Sequence, residues 1–151
     1  MNIPKEFEES VVEIKRISKK TKGGNTIRFS ALVVVGDKKG QVGVGLSKAP
    51  AVASAIKKSI RQARSKMIKV PLRGTTIPYS VLTKFGAAKI LLKPAPPGSG
   101  IIAGGAIRVV LELAGVRDAV GKILGSRNKA ANVYTTIRGL ETLIKLSDKN
   151  S

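Results

Sequence analysis

The stretch KPAPPGSGIIAGGAIRVV, Lys93 to Val110, holds the residues whose spacing most suggests chemistry. Gly98, Gly100 and Ala103 fit G-x-G-x-x-A, a pattern in which glycines turn the chain tightly and let a pyrophosphate approach the backbone at a helix start. Such a run presents backbone N–H groups to an anion, so Gly98, Ser99, Gly100, Gly104 and Gly105 are candidates for an anion loop or for close backbone approach. A dinucleotide site needs a strand running straight into the first glycine. Here Pro94, Pro96 and Pro97 intervene, and proline cannot donate to a ladder. Only 51 residues follow Gly100, too few to complete a doubly wound sheet. The phosphate implied is one carried by a nucleic-acid backbone.

The residue types that are absent exclude most other chemistry. With no Cys and no His there is no thiolate or imidazole metal site, no Cys nucleophile and no His general base. Four of the nine acids, Glu6, Glu8, Glu9 and Glu13, crowd the N-terminus, and none occurs between Lys38 and Leu111, a span that carries fourteen Lys or Arg. No cofactor, metal or small-molecule substrate is expected. The net charge of +19 on 151 residues makes the chain self-repelling and calls for a polyanionic partner. Apolar runs such as ALVVVG (Ala31 to Gly36) fall far short of the roughly 20 residues of a spanning helix. No charged-then-apolar leader is read at the start, so no membrane role is expected, and the absence of cysteine is compatible with a reducing cytoplasm. Aromatics make up 3% of the chain, too few for base-stacking platforms, so contacts with shape and phosphate, as on folded RNA, are expected to dominate.

The elements that must position these residues follow from periodicity. VVEIKRI reads as a strand, SKKTKGGN as a loop, and TIRFSALVVVG as a second strand in which Ile27, Phe29, Ala31, Val33 and Val35 alternate to form one core face. The turn GDKKG leads to a third strand, where Gly43 and Gly45 occupy the face opposite Val42, Val44 and Leu46 and imply that something packs closely there. Ser47 reads as the N-cap of a helix, with Pro50 in its first turn. Its apolar stripe is Ala49, Val52, Ala53, Ile56, Ile60, Ala63 and Met67, opposite a basic face of Lys57, Lys58, Arg61 and Arg64 that has no acids interspersed.

Pro71, Gly74 and Pro78 suggest a boundary, giving domains 1–72 and 73–151. The second is expected to open with strands IPYSVLTKF and AAKILLKPA, then the helix AIRVVLELAG with Gly115 as its stop. A helical turn DAVGKILG, the loop SRNKA and a last helix with Val133, Ile137, Leu140 and Ile144 in phase would complete it. The fold class is α+β: β-β-β-α, then a two-layer α/β sandwich.

The run from KKTKGGNTIRFSALVVVGDKKGQVGVGLSKAPAVASAIKKSIRQARSKMI to PAPPGSGIIAGGAIRVVLELAGVRDAVGKILGSRN resembles the family of the fifth protein of the small ribosomal subunit, bacterial type, over roughly Val11 to Leu143. The resemblance implies an N-terminal domain similar to double-stranded-RNA-binding domains and a C-terminal α/β domain. It further implies a non-enzymatic constituent of the small subunit, bound to its ribosomal RNA and to the fourth and eighth proteins of that subunit. Such a protein lies near the channel by which messenger RNA enters and influences decoding accuracy. The family's mobile basic loop corresponds to Ser18, Lys19, Lys20, Thr21, Lys22, Gly23, Gly24 and Asn25, with Arg28 just beyond. Relative to many members the N-terminal lead is short and no long C-terminal extension follows, so contacts made by such tails are not expected.

The expected RNA contacts are these loop residues together with Lys38, Lys39, Lys48, Lys57, Lys58, Arg61, Arg64, Arg127 and Lys129. Two other readings compete with this one. PPGSGIIAGGA superficially resembles the phosphate loop of certain small-molecule kinases, although only Glu112 and Asp118 are nearby to hold magnesium. An RNA chaperone acting outside the ribosome would carry the same charge.

Overall fold

The structure, a computed structural model, describes residues 7–149; Glu6 lies outside them. Three long strands, β1 (Glu8–Thr21), β2 (Gly24–Gly36) and β3 (Gln41–Ala49), form an antiparallel sheet that the two-residue β4 (Ile68–Lys69) completes beside β3. α1 (Val52–Ser65) packs on one face of it.

The alternation in β2 predicts a single core face, but from Ala31 to Gly36 every residue is buried. Ala31, Val33 and Val35 pack with Ala55 and Ala63 of α1, while Leu32 and Val34 join a larger core on the other side. A continuous apolar run is what a strand covered on both faces requires. Ile27 and Phe29, expected in the core, lie toward the uncovered end, and Ile27 is 40% exposed.

α1 seats on the glycines of β3. A Cβ on Gly43 would run into the Ala63 carbonyl and one on Gly45 into that of Ser59, so the helix backbone lies directly against the sheet. Small side chains at i, i+4 spacing, Ala55, Ser59 and Ala63, form the buried line; Val52, Ile56, Ile60 and Met67 are half-buried beside it, whereas Ala53 is exposed. The Ser59 hydroxyl donates to the Ala31 carbonyl at 2.7 Å, and the Leu46 N–H donates to Gln62 Oε1 at 2.7 Å. The N-cap is Ala51, not Ser47. Ser47 is held in β3 opposite Ala31, pairing continues to Ala49, and the residue before Pro50 is biased toward extended backbone, so the helix starts only after the proline.

The second sheet contains β5 (Val81–Phe85), β6 (Ala88–Pro94), β7 (Ile101–Ile102) and β8 (Ala119–Ile123) in the order β5-β6-β8-β7, with β7 parallel to β8. The strand expected from Ile77 begins only at Val81; Ile77 is buried, and Pro78 after it has no N–H to give a ladder. DAVGKILG, expected as a helical turn, is the central strand β8. A Cβ on its Gly121 would come within 2.8 Å of Ile107 Cγ2, so this glycine lets a helix cross the sheet closely. The helices α2 (Gly105–Ala114) and α3 (Lys129–Lys149) supply Ile107, Val110, Leu111, Leu113, Val133, Leu140 and Leu143 to the core.

One core runs through both sheets. Leu32, Val34, Val42 and Val44 belong to the same buried cluster as Ile90, Leu92, Leu111 and Leu140, and Val70 and Ile77 of the connecting segment lie in it too. The helix α2 ends at Gly115, which is left-handed with φ 99°. The orphaned carbonyls of Leu113 and Ala114 accept hydrogen bonds from the N–H groups of Lys38 and Gly40 in the β2–β3 turn, at 2.9 and 2.8 Å. The first unit therefore caps a helix of the second. The whole is an α+β fold with a two-layer sandwich after the β-β-β-α part.

Candidate nucleic-acid interface

The first basic surface is the free end of the β1–β2 ribbon, where every residue from Ser18 to Arg28 is exposed. Expected as a mobile loop, Ser18 to Asn25 is instead a ladder: Ser18 pairs with Ile27, Lys19 with Thr26, Lys20 with Asn25 and Thr21 with Gly24. Only Lys22 and Gly23 remain as the turn, closed by a 2.8 Å bond from the Thr21 hydroxyl to the Gly24 carbonyl, with Gly24 at φ 125°. KGGN supplies the turn chemistry that lets a two-residue loop join the strands. Because side chains alternate, Lys20 shares a face with Arg16 and Ser18, whereas Lys19 shares the opposite one with Lys15 and Arg28. The arm thus carries positive charge on both sides.

The second is the outer face of α1. Lys57, Lys58, Arg61 and Arg64 are all exposed, opposite the Ala55–Ser59–Ala63 line that grips the sheet. Arg64 pairs with Glu9 of β1 at 3.3 Å and stands over the Phe7 ring at 5.8 Å, an acid that the helix's own sequence did not reveal. Lys58 reaches the carbonyl of Lys48, at the end of β3, at 3.4 Å. Among the described residues no carboxylate pairs with Lys57 or Arg61. Lys38 and Lys39 lie in the β2–β3 turn, at the far end of the 13-residue β2 from the arm, about 40 Å of extended chain away. Lys38 is paired with Glu8 at 2.7 Å. The fold therefore brings Lys48 to the helix face but keeps the turn lysines apart from the arm.

The glycine run resolves differently from its sequence reading. The N–H groups of Gly98 and Gly100 both donate to Asp118 Oδ1, at 3.1 and 2.8 Å, and both glycines take positive φ, 93° and 75°, to aim them there. Asp118 is only 4% exposed. The buried Thr75 hydroxyl has no well-aligned partner, and turning its proton onto this carboxylate is the largest of the effects that hold Asp118 below the ordinary carboxylate range. The N–H groups of Gly100 and Gly98 and the charge of Arg117 act in the same direction, against the opposing effect of burial. The loop's anion is thus supplied by the chain itself. Ser99 is exposed, and its N–H donates to the Pro96 carbonyl at 3.2 Å.

Gly104 and Gly105 stand apart from that network. Gly104 is the N-cap of α2 in extended backbone, neither glycine has positive φ, and a Cβ on Gly105 would meet nothing within 4 Å. Arg127 and Lys129 are exposed beside them, around the start of α3.

A further set of cations escaped the sequence reading. The face of the second sheet away from α2 and α3 carries Lys84, Lys89, Lys93 and Lys122, interleaved with Leu82 and Ile102, which are 55% and 60% exposed. Its signal was the alternation of lysine with the buried Ala88, Ile90 and Leu92 in AKILLKP.

Among the described residues no group of three or more acids could hold a metal ion, and no helix is long and apolar enough to cross a membrane. Two family models match the chain: "Ribosomal protein S5, N-terminal domain" over residues 7–71 and "Ribosomal protein S5, C-terminal domain" over residues 83–150.

Proposed function

The chain belongs to the ribosomal protein S5 family, structural proteins of the small ribosomal subunit in the cytoplasm, and from that premise we propose that it binds small-subunit ribosomal RNA through the outer face of α1. The observation that carries this reading is the seating of α1: its backbone rests on Gly43 and Gly45, so Lys57, Lys58 and Arg61, flanked by Lys48 and Arg64, project from a platform that cannot tilt without breaking the core. Several phosphate contacts from a rigid face accumulate affinity and fix orientation without reading sequence.

The arm from Ser18 to Arg28, with Lys19, Lys20, Lys22, Gly23, Gly24 and Asn25 around its tip, is a second RNA contact whose role is conformational. It acts near the channel by which messenger RNA enters and influences decoding accuracy. Lys38, Lys39, Arg127 and Lys129 add phosphate contacts elsewhere on the surface, and the units 1–72 and 73–151 act as one body through their shared core. The fourth and eighth proteins of the subunit are its protein neighbours. The family is structural rather than enzymatic, and the internal use of the Gly98 and Gly100 N–H groups gives no support to a kinase-like phosphate loop.

The test is RNA affinity as a function of salt. If about six to ten phosphates are neutralised, affinity falls on the order of a thousandfold between about 50 and 200 mM salt, by analogy with duplex binding. A flat salt dependence would contradict the reading. A misreading reporter in cells whose protein carries Lys19, Lys20 and Lys22 changed to Ala tests the role in accuracy, and unchanged misreading would remove it.

A further inference from the structure

A cleft of about 500 Å³ opens where the first turn of α2, the end of β8 and the start of α3 converge, and its lining includes Gly105, Ala106, Leu124, Arg127, Lys129 and Asn132. Three features of it point to a ligand. The N-terminus of α2 carries no side-chain cap and no acid in its first turn, so the N–H groups of Gly105 and Ala106 are not met in that way. The contrast with Gly98 and Gly100, whose N–H groups meet Asp118, is direct. Next, Gly105 has ordinary backbone and open space where a Cβ would stand, so the chain's own packing does not require a bare residue there, whereas a closely approaching ligand does. Finally, Asn132, 1% exposed and on the cleft wall, has an Oδ1 with no hydrogen-bond donor. A buried acceptor left unpaired costs about 1–3 kcal/mol, so a turn of the side chain that brings Oδ1 to a donor in the cleft is favoured.

These features specify complementary chemistry. Two cationic side chains and the positive end of a helix call for an anion, and the main-chain N–H groups suit phosphate oxygens. The orphaned Oδ1 calls for a hydroxyl or amine donor in the same molecule. A phosphate with a neighbouring hydroxyl meets both demands, and an RNA strand presents this pair at every nucleotide as the 3′-phosphate and the ribose 2′-hydroxyl. We infer that this cleft binds a ribose-phosphate unit of an RNA strand, with Gly105, Ala106, Arg127 and Lys129 on the phosphate and Asn132 Oδ1 accepting from the 2′-hydroxyl. The inference rests on the RNA-binding reading above and deepens it: α1 holds phosphates of any nucleic acid, while this cleft distinguishes RNA from DNA.

The test measures dissociation constants of the full chain, at one fixed salt concentration, for a single-stranded RNA oligonucleotide, the DNA of the same sequence, the 2′-O-methyl RNA and a free ribonucleoside 3′-phosphate. Expected is a preference of about fivefold for RNA over both DNA and 2′-O-methyl RNA, the size of one hydrogen bond. Asn132→Ala should bring RNA affinity down to the DNA level and leave DNA affinity unchanged. A free nucleotide that matched the strand's affinity and competed with it would keep the chemistry and make the nucleotide the ligand. Equal affinities for RNA, DNA and 2′-O-methyl RNA in the unaltered protein would overturn the inference, whether or not the variant folds, as would an RNA preference that survives Asn132→Ala. Loss of all nucleic-acid affinity is a different result, which contradicts the functional reading itself.

Discussion

Two basic surfaces rise from one four-stranded sheet and are supported in opposite ways. The α1 face is backed by glycines on which the helix backbone lies, by the bond from Ser59 to Ala31 and by that from Leu46 to Gln62. Beyond Ser18 the β1–β2 ribbon has no packing on either face, and a two-stranded ribbon alone is at best marginally stable in water. The helix can hold phosphates at fixed spacing without deforming. The ribbon can twist or bend as a unit, because its ladder already satisfies its backbone. This corrects the picture of a loop that must be ordered on RNA: most of the ordering entropy has been met by strand pairing, and what remains soft is the junction with the body.

The comparison can be broken most drastically from inside. Gly45→Val places a branched side chain against the Ser59 carbonyl and should unseat α1, with a stability loss of about 3 kcal/mol or more in chemical denaturation, since overpacking of a filled interface has that scale. A normally stable variant would mean that the platform is not rigid.

Next in size is the joint change of Lys57, Lys58, Arg61 and Arg64 to Ala. The helix should persist, as Ala is a strong helix former. The slope of log affinity against log salt should shrink by about 3 to 4, roughly one per lost phosphate contact. The same slope should shrink by no more than about 2 when Lys19, Lys20 and Lys22 become Ala, because Lys19 and Lys20 lie on opposite faces of the ribbon and cannot both meet one RNA surface. Equal losses would erase the distinction between platform and arm.

Asp118→Asn sharpens it by altering structure without altering either surface. The folded carboxylate is held below its ordinary value of 3.8, so its contribution is present above that pH and is lost only as the medium is acidified below it. Unfolding measured against pH should show the variant less stable than the parent near neutrality, with the two converging in acid, while the salt slope for RNA stays unchanged.

Smallest is Gly105→Ala, which should leave the thermal midpoint of the isolated chain unchanged or slightly raised, since the position has open space and ordinary backbone. A large fall would show that the glycine serves the fold and not a ligand.

Much of this was legible in the sequence because periodicity reports local burial. The β-β-β-α order, the outward face of α1 and the close packing implied by Gly43 and Gly45 follow from spacing of two or four residues, and Gly115 as the stop of α2 from the preference for glycine after a helix end. What remained hidden depends on residues distant in the chain. Asp118, 18 positions from Gly100, takes the N–H groups that made the glycine run look like a phosphate cradle. Glu9 reaches Arg64 across 55 positions, although no acid is near that helix in sequence. The strand β8 reads as helix in the sequence because so short an apolar run fits either period, and only its pairing with β6 and β7 decides between them. The polar ladder of the arm, with no apolar alternation, left no periodic signal for pairing.

The central claim is that the α1 face anchors the protein and the arm does not. Its most direct test is a competition in which cells express the parent chain together with either the four-residue α1 variant or the three-lysine arm variant, followed by mass-spectrometric measurement of each chain's share in purified small subunits. The arm variant should occupy subunits nearly in proportion to its expression, and the α1 variant should be strongly depleted. An α1 variant that assembles in proportion to its expression, beside an arm variant that is depleted, would contradict the account.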